Sequence, residues 1–160
     1  MFKLLRRFAS KAAPEPREAA LRALAVRDYA RAERGFAELL AQPGLVSGER
    51  AFLLNKRGVA LVGLGEREGA QEAFAQALRA APTFAPALTN VGNLALERGE
   101  VDAAIASFAA AIASDDGYAL AHLNIAVAYR QQGRIGEAVR SLRKAQRLEG
   151  RSTWRLSKGR

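Results

Sequence analysis

A period of 34 residues restricts this chain more than any other feature. Gly58, Gly92 and Ala126 follow one another at that interval, as do Ala70, Ala104 and Ala138, and as do Phe74, Phe108 and Leu142. Small residues recur in phase with small ones and large with large. A single globular core imposes no such register. A stack of like units does, because each unit must offer the same face to its neighbour. Within each unit an apolar-periodic run of about 14 residues leads to a Gly-polar pair and then to a second such run. The pairs are Gly65-Glu66, Gly99-Glu100 and Gly133-Arg134. Each unit therefore reads as helix, turn, helix. A weaker copy sets Ala20, Ala32 and Phe36 in the same relation and is followed by an irregular connection, PGLVSGE, at residues 43–49.

Gly92 stands inside a run that otherwise favours helix, where glycine costs about 0.5–1 kcal/mol relative to alanine. Its recurrence at Gly58 points to a steric need. The expectation is that Gly92 faces Ala104 and lets the two helices of a unit approach toward the short end of the usual spacing of about 8–10 Å, while Phe108 fills the space between units. Helices are predicted near 17–27, 29–41, 49–64, 67–80, 85–98, 101–114, 118–132 and 135–149, with a further short one near 2–12. Pro86 suits a first helical turn, where its missing N–H is harmless, and Pro82 ends the helix before it.

Taken together these residues resemble the tetratricopeptide repeat family. Leu54, Gly58, Leu61, Ala70, Phe74 and Pro82 follow its pattern in one repeat. Leu88, Val91, Gly92, Ala104 and Phe108 follow it in the next, and Ile125, Ala126, Tyr129, Ala138 and Leu142 in the last. Two positions depart from it: Asp116 stands where proline is usual and His122 where a large apolar residue is usual. The resemblance implies an all-α, right-handed solenoid of about four repeats, the first degenerate, over residues 17–149. Residues 1–13 form a basic amphipathic segment, 14–16 a proline-containing linker and 150–160 a short basic tail.

The resemblance also implies a binding protein whose concave groove takes a peptide segment of a partner. Residues one period apart occupy equivalent places on successive helices, and Asn90 and Asn124 are such a pair, with Lys56 one period before them and Asn55 beside it. An inward asparagine at this place commonly holds a peptide backbone, because its amide offers both donor and acceptor. The bland reading is that both side chains are solvated or bond only to neighbouring repeats. Val59, Asn93, Leu96, Val127 and Arg130 are expected on the same inner face, a mixed surface suited to apolar peptide side chains. The family's carboxylate clamp needs cations at positions that fall on Leu120 and Asn124 here, which disfavours an acidic C-terminal ligand.

Composition narrows the alternatives. The chain has no cysteine and one histidine, His122, so disulfides, thiol chemistry and a His/Cys metal site are not expected. No phosphate loop or nucleophile motif occurs, no cofactor is called for, and an enzyme is not expected. The net charge of +9 is concentrated at the two ends. Residues 1–11 carry Lys3, Arg6, Arg7 and Lys11 without an acid, and residues 130–160 carry ten Lys/Arg against Glu137 and Glu149. Arg140, Lys144, Arg147 and Arg151 form a stripe on the last helix that reads as a solvated face or a contact for an acidic partner. Trp154 alone does not provide the interleaved aromatics of a single-strand binder, so a nucleic-acid-associated protein is the weaker alternative, beside a subunit that self-associates through its ends. In residues 1–13, Leu4, Leu5 and Phe8 share one helical face and the cations the other. The pattern fits a helix resting on an anionic membrane, a ligand for a partner's groove or an organellar targeting peptide, with a frayed tail or a cover for the first repeat as the bland reading. The expected location is cytoplasmic, with peripheral membrane contact where the segment acts as an anchor.

Overall fold

A computed structural model of the chain describes the backbone of residues 15–157 and the side chains of residues 15–150. Leu4, Leu5 and Phe8 lie outside the described residues, as do the side chains of Arg151, Trp154 and Leu156. Eight helices and no strand occur among the described residues: α1 Pro16–Ala25, α2 Tyr29–Leu40, α3 Ser47–Leu64, α4 Arg67–Ala80, α5 Ala85–Glu97, α6 Val101–Ser114, α7 Ala119–Gln131 and α8 Ile135–Ser157. They pair in sequence order as four helix hairpins stacked into an α-solenoid. None of them is long and apolar enough to cross a membrane.

The four hairpin turns close in the same way. A backbone N–H reaches back five residues to a carbonyl at Glu66–Leu61, Glu100–Ala95 and Arg134–Tyr129, each at 2.9 Å. That geometry needs a left-handed residue just after the helix. Gly65, Gly99 and Gly133 supply it with φ of 82°, 77° and 73°. The first hairpin makes the same bond, Asp28 to Ala23 at 2.9 Å, but the left-handed residue is Arg27, at φ 62°. The degenerate first repeat thus keeps the turn and loses its glycine, which is why its sequence signal is weak. A side chain in this conformation costs about 1–2 kcal/mol. Arg27→Gly is therefore expected to raise stability by up to about 1 kcal/mol, after the added freedom of the unfolded chain is subtracted, as read from the urea midpoint.

One phenylalanine per repeat anchors the core: Phe36, Phe74 and Phe108 are 0%, 1% and 0% exposed. Ala20, Ala32, Ala70 and Ala104 are buried beside them, so the spacing within the repeat reports packing in the first repeat, which lies 38 residues before the second, as well as in the later ones. The glycines fit against these rings and not against the alanines. A Cβ at Gly92 would lie 2.5 Å from Phe108 Cε1, and one at Gly58 2.4 Å from Phe74 Cε1. The expected partner of Gly92, Ala104, is buried nearby, but the ring of Phe108 is what requires the missing side chain. The reason is reach: a phenylalanine four residues beyond the alanine crosses the hairpin and lays its edge on the opposing backbone.

The last repeat departs from the pattern in two ways. α8 continues through Gly150 to Ser157, past the place where α4 and α6 stop at Ala80 and Ser114, so the end expected at 149 falls too early. A lone glycine weakens a helix by about 1 kcal/mol and does not by itself break it. Leu142 occupies the register of Phe108 but is 40% exposed, so its expected packing role is only half realised.

The inner helix face as candidate functional site

Along one side of the stack α5 touches both α3 and α7, whereas no comparable packing joins α4 to α6 or α6 to α8. The solenoid therefore curves with α3, α5 and α7 inside. The asparagines of the inner helices are paired across the repeats. Asn90 Nδ2 donates to Asn55 Oδ1 at 2.8 Å, and Asn124 Nδ2 donates to Asn93 Oδ1 at 2.7 Å. Asn55 is buried, while Asn90, Asn93 and Asn124 are half-buried. Each pair links an inner helix to the next by one N–H and one carbonyl oxygen. Asn90 and Asn124 each retain a second N–H and their own Oδ1 on the half-exposed side.

The pairing could not be read from the period. Asn90 and Asn124 are equivalent by register, yet their acceptors are not: Asn55 sits one residue before the register of Asn90, and Asn93 three residues after its own. Thr89, at the register of Asn55, is fully buried and its hydroxyl has no partner.

The other residues expected on this face divide into two groups. Val59 and Leu96 are half-buried against the core clusters, and Lys56 extends its ammonium over the Phe52 ring at 5.3 Å. Val127 and Arg130, on the inner helix α7, also border the end of the stack. With Leu123, Ala126, Ile135, Ala138, Val139 and Leu142 they line an open cleft of about 250 Å³ between α7 and α8, at the end of the stack. The physical reason is that the residues at their register, Asn93 and Leu96, are covered by α7, whereas no described helix follows α8.

His122 is buried, with Nε2 3.0 Å from the Asp116 carbonyl oxygen. Asp116 also accepts a bond from Lys144, which holds its carboxyl below the usual range. The residue in the proline position thus ties the loop between repeats to both α7 and α8, and Lys144 leaves the basic stripe to do so. Among the described residues no cluster of three His, Cys, Asp or Glu side chains could hold a metal ion.

Paired helices, turns closed by a left-handed residue and the same backbone bond, and a phenylalanine at each joint define a helical-repeat solenoid. A tetratricopeptide repeat profile matches residues 55–119 and 89–152, more than half of the chain. The chain belongs to the tetratricopeptide repeat family. No curated protein sequence matches it. Among solved structures it is similar to MamA, at 22% identity and a TM-score of 0.68 over 86% of this chain and 78% of that one. It is also similar to YrrB, described as a tetratricopeptide repeat protein with an unusual peptide-binding site, at 24% identity and 0.62 over 82% and 66%. The second repeat domain of Spaghetti (RPAP3), solved with the HSP90 peptide SRMEEVD, matches at 22% and 0.59 over 63% and 94%. Identities this low establish the shared fold.

Proposed function

We propose that this protein is a non-enzymatic protein-interaction module that binds an extended peptide segment of a partner on the inner face of α3, α5 and α7. The coarser statement, an interaction repeat, rests on family membership and on relatives of the same fold that bind peptides. The observation that carries the finer one is the pair of amide rungs. Asn90 and Asn124 stand one repeat apart with a donor and an acceptor each left over, and bonding to Asn55 and Asn93 holds them in place before any ligand arrives. An acidic C-terminal peptide of the kind bound by Spaghetti is disfavoured, because Leu120 and Asn124 stand where cations would be needed. Residues 1–13 would add a weak, reversible hold on an anionic membrane surface.

Selection of a displayed random-peptide library on the intact chain, followed by calorimetry of the selected peptide, tests the reading. Asn90→Ala/Asn124→Ala is expected to weaken that peptide by about 1–3 kcal/mol. The same substitutions leave Asn55 buried without its partner, so some loss of stability accompanies them. Circular dichroism at the assay temperature separates the two effects. A folded double variant that binds the peptide as tightly as wild type would move the site off the inner face.

A further inference from the structure

We propose that the open end of the solenoid, formed by α7 and α8, is a second docking seat, and that it takes an amphipathic α-helix with acidic flanks from a partner protein. The molecule itself shows what such a seat holds. One repeat earlier, Val101, Ile105 and Phe108 on α6 pack against Ile125, Ala128 and Tyr129 of α7. At the same register on α8 stand Ile135, Val139 and Leu142, and they are 57%, 40% and 40% exposed where Phe108 is 0%. The apolar surface recurs in the last repeat, and no helix among the described residues covers it. α8 continues as helix through the point where α4 and α6 stop, so residues 149–157 do not turn back over the seat as the chain does after α4 and α6.

The flanks of the seat differ from those of the internal joint, and the difference is one of charge. At the registers of Leu96, Ala106, Ala109 and Ala113 the last repeat has Arg130, Arg140, Arg143 and Arg147. Arg140 and Arg143 each follow by one residue the apolar line of α8 at Val139 and Leu142, and Arg147 follows the polar Gln146 that continues it, so the three border the line on the side away from α7. Arg130 borders the cleft from α7. None of these four arginines is ion-paired with an acid among the described residues, apart from the field of Glu137 near Arg140. Apolar centre and basic edges on both sides ask for an apolar stripe with Glu or Asp on both sides. A second copy of this end face would set like charges against each other. Residues 1–13, with four cations and no acid, would meet the same repulsion.

The inner rung is also altered. Asn93 accepts the amide of Asn124 across the internal joint, but its counterpart on the last repeat is Val127. An incoming helix therefore places an apolar residue where α7 carries Asn124.

A synthetic helix tests this with the intact chain. The probe carries the packing residues of α7 (Tyr118, Ala121, Ile125, Ala128 and Tyr129) at their own spacing, has leucine at the place of Asn124, and has glutamate at its outward positions. Its twin has lysine there. By fluorescence anisotropy at low salt the glutamate probe is expected to bind about tenfold tighter than the lysine probe, with an advantage that shrinks as salt is raised. Val139→Ser/Leu142→Ser should weaken it at least about tenfold, with the melting temperature nearly unchanged because both side chains are already exposed. Arg140→Glu/Arg143→Glu should reverse the preference between the probes, while Asn90→Ala/Asn124→Ala should leave it intact, which keeps this seat separable from the inner face. Equal binding of the two probes, no binding of either, or binding indifferent to Val139→Ser/Leu142→Ser would overturn the proposal. So would a wild-type dimer in sedimentation that Leu142→Ser dissociates, since the occupant would then be a second copy.

Discussion

Phe108→Ala is expected to lower the stability of the solenoid by about 3–5 kcal/mol, toward the upper end of that range. Phe108 is fully buried where α5, α6 and α7 meet, and its cluster includes Ala95, Ala104 and Ala128. Alanines have no side-chain freedom with which to close a cavity, so the space left by the ring stays open and its dispersion contacts are lost. In a stacked repeat the damage is also directional. Each repeat touches only its neighbours, so loss at this joint uncouples α7 and α8 from the rest. Denaturation followed by circular dichroism should show the lower midpoint, and amide exchange should accelerate first in α7 and α8. Leu142→Ala provides the internal control. It has the same register but a half-exposed side chain, and should cost less than about 1 kcal/mol. Equal losses for the two variants would show that burial at this register is not what holds the stack together.

Gly92→Leu is expected to cost about 3 kcal/mol, even though leucine is the better helix former by nearly 1 kcal/mol. The added Cβ alone would stand 2.5 Å from Phe108 Cε1 and 2.7 Å from Cδ1, and a fully buried ring has nowhere to go. Either the ring leaves its rotamer or α5 and α6 separate. The effect should depend on the ring: Gly92→Ala/Phe108→Leu is expected to be markedly more stable than the sum of the two single changes, as contacting residues in a double-mutant cycle are. Gly48 marks the opposite case. It lies in the first turn of α3, where an added Cβ would meet nothing within 4 Å, so Gly48→Ala should stabilise by about 0.5–1 kcal/mol. Melting curves of the two glycine variants should therefore move in opposite directions, and a parallel shift would refute the steric account.

Much of the candidate site was hidden for a reason that Asn90 illustrates. The period identifies Asn90 and Asn124 as equivalent, and both do lie on the inner helices. Their partners, Asn55 and Asn93, come from different positions in the repeat, because a hydrogen bond depends on the rotamers of two side chains and not on register alone. Arg27 shows a similar gap in the fold. The turn at residues 26–28 carries no glycine, so local chemistry gave little sign that it closes like the other three, yet packing of Ala20, Ala32 and Phe36 brings the two helices together and places Arg27 in the left-handed region.

The sequence by itself determined the unit, its length, the turns marked by Gly65, Gly99 and Gly133, and the family, because these follow from helix periodicity and local backbone preference repeated in phase. Tertiary structure decided which atoms meet: the ring of Phe108 on Gly92, the amides in pairs, and Val127 and Arg130 along the end cleft. Register states which residues are alike, but burial requires a neighbour to be present. Phe108 and Leu142 have the same place in the repeat, and among the described residues only Phe108 has a following helix to cover it.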